Sequence, residues 1–458
     1  MEIDLHKIFD TSISLKTAIS ILENNGYEAY LVGGCVRDNL LAVAPKDYDI
    51  TTNALPSQVI AAFNNYKIIV IGLKHGTVIV IIEDMPIEIT TYRVDGEYTD
   101  NRRPDNVSFT RDLKEDLARR DFTINALAYN NKDGIIDFFG GIEDLKNKII
   151  RCVGIPDQRF NEDALRILRA LRFSSVLGFE IQTNTAESIH KNKKLLLNIA
   201  NERISIEFSK LLCGDNKEIE KILIEYIDVF GVFIPELLPM KGFDQNNNYH
   251  IYDVYKHSVK AVINTPKVLM LRLSAFFHDI GKPLSYSQDN KGTGHFYGHS
   301  KKSEEMVRII LRRLKFDNSI IEIVSSLVLY HDITIEVDEK KIKHVLNNFS
   351  YDVYKSLIAL KRADILSQNP KFLSRLETLD KIEKMIDKII SEGQCYTIDK
   401  LEIDGNDLIK LKIPQGNKLG KTLDYLLTAV INGDFPNERE ILLNKAEKYF
   451  KQIEKHLP

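Results

Sequence analysis

Residues 31–51 read LVGGCVRDNLLAVAPKDYDIT: an apolar run, a glycine pair, a helical pattern and an Asp-x-Asp step. In a β-strand, residues two apart share a face, so a strand from Asp47 to Thr51 would point Asp47 and Asp49 one way and Tyr48 and Ile50 the other. Two ionised carboxylates side by side repel, and a divalent cation between them offsets the cost. Asp47 and Asp49 are therefore expected to hold Mg²⁺. Just upstream, a strand from Tyr30 to Val32 enters Gly33-Gly34, and a helical pattern follows from Cys35 to Leu41. Backbone N–H groups and the cationic Arg37 would then face whatever leaves the strand, an arrangement suited to a triphosphate. A plain Gly-Gly turn and a solvated Asp-x-Asp loop are the competing readings, because each pattern alone is frequent by chance.

Taken together, the glycine pair, Arg37 and the two aspartates resemble the nucleotidyltransferase signature of the DNA polymerase β superfamily. The form is that of class II tRNA nucleotidyltransferases, the CCA-adding enzymes. The resemblance implies a Mg²⁺-dependent enzyme in which Gly33, Gly34 and Arg37 hold the triphosphate of CTP or ATP and tRNA is the acceptor.

The chain has 458 residues, room for roughly three or four domains. With 44% hydrophobic and 28% charged residues it can bury ordinary cores, which excludes a disordered chain. A net charge of −3 is not that of a generic nucleic-acid binder, so RNA contacts must come from local basic surface, such as KKSEEMVRIILRRLK at 301–315. A solvated helix face explains that patch equally well. Cys35, Cys152, Cys213 and Cys395 lie far apart without metal-ligand spacing, which favours a reducing compartment. The start MEIDLHKIFD lacks a basic, then apolar, leader, and no apolar run is long enough to span a bilayer. A soluble, cytoplasmic protein with no membrane partner is expected.

Downstream, residues 13–25 read as an amphipathic helix and Pro56–Phe63 as a short one. Lys67–Ile71 and Thr77–Ile82 read as strands, as does Ile87–Tyr92, which would offer Glu88 as a third carboxylate if it pairs beside DYDIT. Residues 93–111, RVDGEYTDNRRPDNVSFTR, read as a mobile loop. By resemblance it helps the switch from adding C to adding A. RRDFTINA (119–126) is expected to open the next helix, and the resemblance gives Arg120 a contact to the incoming nucleotide. An ordinary helix start capped by Asp121 is the plainer reading. DFFGGIEDL (137–145) resembles the hinge between head and neck.

EDALRILRALRF (162–173) is expected to be one helix on which Asp163 and Arg166 are neighbours, while Arg169 and Arg172 turn progressively away. An i,i+3 surface ion pair would account for the spacing. The chemistry points further: cytosine and adenine both present an amine donor beside a ring-nitrogen acceptor, and uracil and guanine present the reverse. An aspartate that only accepts and an arginine that only donates match C and A and oppose U and G. The resemblance assigns this base reading to Asp163 and Arg166, and phosphate or support roles to Arg169 and Arg172. ANERISIEFSKLL (200–212) resembles the neck motif, with Glu202, Arg203 and Glu207 structural.

Residues 245–370 read as helical, and His257, His278, Asp279 and Asp364 occur in an order that resembles the metal tetrad of HD phosphohydrolases. His295, His299 and His331 would neighbour a second metal or a phosphate. This implies a second divalent metal in an HD module. Near the end, IDGNDLIKLKIPQGNKLGKTLDYLLTAV (403–430) offers a helix start at Asp404–Asp407 and a turn at Gly416 and Gly420 with Lys418 and Lys421. It resembles the tRNA-holding tail.

The expected fold is α+β: a polymerase-β-like sheet head at 1–150, then an all-α neck at 151–215, an HD-type body at 216–372 and a tail at 373–458. The expected catalytic acids are Asp47, Asp49 and Glu88, and the expected activity is template-independent CCA addition to tRNA from CTP and ATP. The alternatives are a bacterial poly(A) polymerase, an RNA-binding HD phosphohydrolase with a degenerate head, and a non-catalytic tRNA-binding protein. GLKHGTV (72–78) stands where poly(A) polymerases carry a basic, aromatic-containing stretch, and it has the CCA-like form.

Overall fold

The computed structural model describes residues 12–70, 75–96, 106–349 and 351–455. The N-terminal decapeptide, residues 72–74 of GLKHGTV and residues 97–105 of the expected loop at 93–111 lie outside these residues. The chain divides into two units, Met1–Leu238 with Arg313–Lys315, and Pro239–Arg312 with Phe316–Pro458.

The first unit is built on a seven-stranded sheet. Helix α1 (Ile13–Asn24) leads through Gly26 to β1 (Ala29–Val32), then α2 (Gly34–Leu40), β2 (Asp49–Thr52) and α3 (Pro56–Ala62). Strands β3 (Lys67–Ile69), β4 (Thr77–Ile82) and β5 (Met85–Thr91) complete the order β3-β4-β5-β2-β1, with β8 (Leu127–Asn130) and β9 (Gly134–Asp137) beyond β1. Among the described residues of this sheet only β2 and β5 pair in parallel; their register sets Asp49 beside Glu88 and Thr51 beside Thr90. The period-2 alternation therefore sorts the sheet by chemistry. Ile50, Ile89 and Val78 line one face and are fully buried, and α1 and α3 pack against one another there. Asp49, Glu88, Thr51, Thr90 and Thr77 line the other face.

Three local expectations change. Strand β2 begins at Asp49, so Asp47 is an exposed residue ahead of the strand. The segment expected to be a loop contains two short strands, β6 (Arg93–Asp95) and β7 (Val107–Phe109), paired antiparallel with Arg93 opposite Phe109 and Asp95 opposite Val107. RRDFTINA does not open a helix: α4 (Leu113–Ala118) ends just before it, and Thr123–Asn125 form a single 3₁₀ turn leading into β8. Asp121 stabilises that turn by accepting from the Phe122 N–H at 2.8 Å and from Asn125 Nδ2 at 3.0 Å.

Helix α5 (Gly141–Asn147) follows the Gly140-Gly141 pair. Gly140 adopts φ +77°, and a Cβ on Gly141 would lie 2.3 Å from the Thr123 carbonyl oxygen, so the pair serves one turn and one close approach. A two-residue parallel pair, β10 (Ile149–Ile150) with β11 (Glu180–Ile181), ties the sheet region to the helical neck. The helices that follow in the first unit are α6 (Pro156–Glu162), α7 (Leu165–Leu177), α8 (Thr183–Asn192), α9 (Asn201–Leu212), α10 (Asn216–Glu225) and α11 (Ile227–Phe233), with α7 packed on α9 and α10. The expected continuous helix from 162 to 173 is two helices. Asp163, at φ −132° and ψ 103°, is extended and breaks them apart.

The second unit is helical apart from the hairpin β12 (Ser287–Gln288) and β13 (Gly294–His295). Helices α12 (Val254–Asn264), α13 (Leu269–Phe277), α15 (Asn318–Tyr330) and α17 (Tyr351–Leu366) pack together, while α14 (His299–Arg313) and α16 (Glu339–Asn348) connect them. After α18 (Arg375–Ser391), helices α19 (Gly405–Lys410), α20 (Asn417–Asn432) and α21 (Arg439–Lys455) enclose their own core around Leu408, Leu426 and Leu442. Asp404 caps α19 with Asp407 in a capping box, as its spacing implies. Gly416 caps α20, whereas Gly420 lies inside that helix rather than in a turn.

Candidate active site

The head site starts from the β2–β5 register, which holds Asp49 and Glu88 on one face of the sheet. Burial raises the Asp49 carboxyl above its ordinary range; the Arg120 charge opposes this and the Asp47 charge adds to it. Glu88 is raised by burial and by the charges of Asp49 and Asp47, so the three acids share one electrostatic environment. Among the described residues, groups of three such ligand atoms all within 4.8 Å of one another occur only in the second unit, so the three head acids do not form one.

Gly33, at φ +74°, turns the chain from β1 into α2. A Cβ there would lie 2.7 Å from Arg120 Nη1, so Gly33 makes the space in which Arg120 sits. Arg120 pairs with Asp116 at 3.6 Å, and its Nε is buried without a hydrogen-bond partner. Asp116 is fully buried and accepts from Thr51 Oγ1 at 3.2 Å and from Arg119. Burial pushes its carboxyl up, but Arg119 and Arg120 outweigh burial and hold it low. The sequence signal for Asp116 was only an acidic residue in a first helical turn, the usual complement to a helix dipole.

Arg37 is buried and donates through Nη1 to Asn125 Oδ1 at 2.6 Å and through Nε and Nη2 to Asp38 Oδ1 at 2.8 and 2.7 Å. Asn125 reaches Asp121, whose other oxygen accepts from Arg169 Nε at 2.8 Å. Burial raises the Asp121 carboxyl, yet Arg169 and Asn125 prevail and bring it to about 2. The guanidinium groups of Arg37, Arg169 and Arg172 lie 5.0, 5.3 and 4.0 Å from the centre of the Phe173 ring. One chain of contacts thus runs from the glycine turn to α7. No sequence signal singles out Asp38, Asn125 or Phe173, because only the fold brings them to the arginines.

Asp163 and Arg166 are near one another, but their side chains have different partners. Arg203 Nη2 donates to Asp163 Oδ2 at 3.1 Å, while Arg166 Nη1 donates to Glu162 Oε2 at 2.6 Å and Nη2 to the Arg119 carbonyl at 2.8 Å. The i,i+3 surface ion pair is replaced by these because the chain is extended at Asp163. Arg172 is held by buried Glu207 at 2.5 Å, the supporting function expected of the 200–212 helix.

In the second unit, His257 on α12, His278 and Asp279 after α13, and Asp364 on α17 converge. His257 Nε2 lies 3.0 Å from Asp364 Oδ1 and 3.4 Å from Asp279 Oδ2; His278 Nε2 lies 3.1 Å from Asp279 Oδ2. His299 and His331 join the same centre, and His295 sits apart, paired with Asp289 at 3.3 Å. Neither Asp279 oxygen accepts a well-directed hydrogen bond; imidazoles and the Lys282 ammonium, 2.7 Å away, surround it as ion pairs.

The sheet with its acidic face, glycine turn and arginines defines a nucleotidyltransferase head followed by helices. Residues 29–151 match the poly A polymerase head domain, 178–240 a domain described as an RNA and SrmB-binding site of polymerase A, and 295–446 tRNA nucleotidyltransferase domain 2. The chain is 34% identical over 426 residues to the CCA-adding enzyme of Oceanobacillus iheyensis, covering 93% of this chain and 94% of that one. It is 32% identical over 445 residues to that of Lactiplantibacillus plantarum, covering 94% and 95%. Its structure is similar to that of the Bacillus stearothermophilus CCA-adding enzyme in complex with CTP, with a TM-score of 0.69, 29% identity and 98% and 99% of the two chains covered. The protein belongs to the family of CCA-adding enzymes.

Proposed function

We infer that the protein adds C, C and A to the 3′ end of tRNA from CTP and ATP, without a nucleic-acid template. Membership of the CCA-adding family over nearly the whole chain is the observation that carries this reading. Each cycle joins the tRNA 3′-hydroxyl to the α-phosphate of the nucleotide and releases pyrophosphate. Asp47, Asp49 and Glu88 fit a hard divalent cation, since they are oxygen donors whose mutual repulsion such an ion would relieve. Mg²⁺ bound there would favour the ionised hydroxyl and stabilise charge on the leaving pyrophosphate.

The chain's own residues supply the rest. Gly33 and Gly34 let the triphosphate approach the backbone, and Arg37 and Arg120 meet its charge. Asp116 and the Asp38–Asn125 pair keep those two guanidiniums in place. Asp163 accepts from the exocyclic amine of C or A and Arg166 donates to the ring nitrogen, with Arg203 and Glu162 positioning them. A uracil or guanine would leave buried polar groups unpaired, and sites built on such bonds discriminate by roughly 10⁴ or more. Arg169 and Arg172 support the pocket. The division into head (1–150), neck (151–215), body (216–372) and tail (373–458), with the tail gripping tRNA, belongs to the same reading. So does a cytoplasmic setting; among the described residues no helix is long and apolar enough to cross a membrane.

A second activity rests on the body: His257, His278, Asp279 and Asp364 hold a divalent metal of an HD-type phosphohydrolase, because the first three are buried nitrogen and oxygen ligands on one centre and Asp364 Oδ1 lies 3.0 Å from His257 Nε2. The principal reading is tested by incubating the protein with tRNA that lacks its last three nucleotides, together with labelled CTP and ATP. Growth by three nucleotides and then arrest is expected; a long A tail would show a poly(A) polymerase instead.

A further inference from the structure

Three cations share one aromatic ring between α2 and α7. The guanidinium carbons of Arg37, Arg169 and Arg172 lie over the Phe173 ring at 5.0, 5.3 and 4.0 Å from its centre. All three are inside the distance, about 6 Å, at which a ring face attracts a cation. Arg169 and Phe173 stand at i and i+4 on α7 and so share a face of that helix, whereas Arg37 comes from α2, which follows the glycine turn. Each arginine spends its Nε on a carboxylate of its own: Asp38 at 2.8 Å, Asp121 at 2.8 Å and Glu207 at 2.5 Å. Asn125 accepts from Arg37 Nη1 and donates to Asp121, which adds a second link between Arg37 and Arg169.

The carboxylates fix where each guanidinium sits but still leave like charges side by side. Their repulsion is visible at Arg172: burial lowers it below arginine's ordinary value, and although Glu207 opposes this, the Arg169 charge adds to it. Phe173 itself is 5% exposed and packs in a T-shape against Phe122, with ring centres 5.8 Å apart and planes at 82°, so the core sets its orientation. A leucine would fill much of the same space but has no negative face to offset the repulsion.

We propose that Phe173 is a positioning residue of the nucleotide site: the electron density of its ring holds the Arg37 guanidinium against Arg169 and Arg172, in the place where Arg37 meets the triphosphate. The proposal rests on the reading that Arg37 binds the triphosphate and names what keeps it there. A guanidinium has five N–H donors, and Arg37 directs its Nε and both Nη atoms at Asp38 and Asn125 with one bond each. Each Nη therefore keeps a second hydrogen for a phosphate oxygen. Phe173 acts only through the arginines, so it governs how tightly phosphate is held and not the chemical step.

The test replaces Phe173 in the full chain with mono-, di- and trifluorophenylalanine, which nearly keep its size while withdrawing density from the ring face. Binding of inorganic triphosphate and of CTP is measured by calorimetry. Kd for both should rise with each fluorine, to about tenfold for the trifluoro ring, with KM for CTP and ATP rising in step, kcat unchanged and the melting temperature held. Phe173→Leu should weaken binding at least as much. A flat fluorine series, in a protein whose triphosphate binding is weakened by Arg37→Ala, would overturn the proposal and leave the arginine reading standing. Losses of kcat and melting temperature that follow Kd would also overturn it, since Phe173 would then only fill the core. If Arg37→Ala bound triphosphate as tightly as the native chain, the reading beneath the proposal would fall, whatever the fluorine series showed.

Discussion

Gly33 carries two constraints at once: a φ of +74° and the Arg120 guanidinium at 2.7 Å from where a Cβ would be. Gly33→Ala should cost about 1–3 kcal/mol from the backbone alone and displace Arg120, raising KM for both nucleotides in steady-state incorporation assays. Asp121 makes a prediction about acid. Its folded carboxyl titrates near 2, below its unfolded value, so the stability it contributes is complete above about pH 4 and is lost as pH falls toward 2. Asp121→Asn should remove that dependence, worth about 2 kcal/mol, in denaturant titrations repeated across this range. The charged groups in this site were legible where they stood in a recognisable run, as with Arg37 and Arg120. Asn125 and Asp116 had no such signal, because their importance comes from the arginines they hold.

At the scale of elements, the sequence pattern located β4 at its observed bounds, since Thr77–Ile82 alternates strictly between half-buried and buried positions. It failed where a local conformation overrides the pattern. EDALRILRALRF has unbroken helical periodicity, and nothing in it announces the extended backbone at Asp163 that separates α6 from α7. That break gives the carboxylate a partner in Arg203 rather than in Arg166. Under the proposed function, base reading falls at the junction of two helices rather than on one helical face. Asp163→Ala should relax discrimination against UTP and GTP by several orders of magnitude in single-nucleotide incorporation; unchanged selectivity would place base recognition elsewhere. In the same way, the strand expected from Asp47 starts two residues later, which leaves Asp47 exposed and the acidic group open.

Across the whole molecule, the α+β class and the succession of a sheet-bearing head and helical segments could be read from glycine turns, strand-length apolar runs and helical periodicity. The long-range assembly could not: Phe173 gathers cations from α2 and α7, and Asp279 gathers histidines from residues 257–331, through contacts that sequence spacing does not encode. The central claim is that acids at the front of the head hold a cation beside the triphosphate while the neck chooses the base. A crystal structure of the full chain with CTP and Mg²⁺ tests it most directly. An ion bound by Asp47 and Asp49 next to the phosphates, with the cytosine edge on Asp163 and Arg166, is the predicted result. A nucleotide bound without an ion at those acids, or with its base away from the neck, would contradict it.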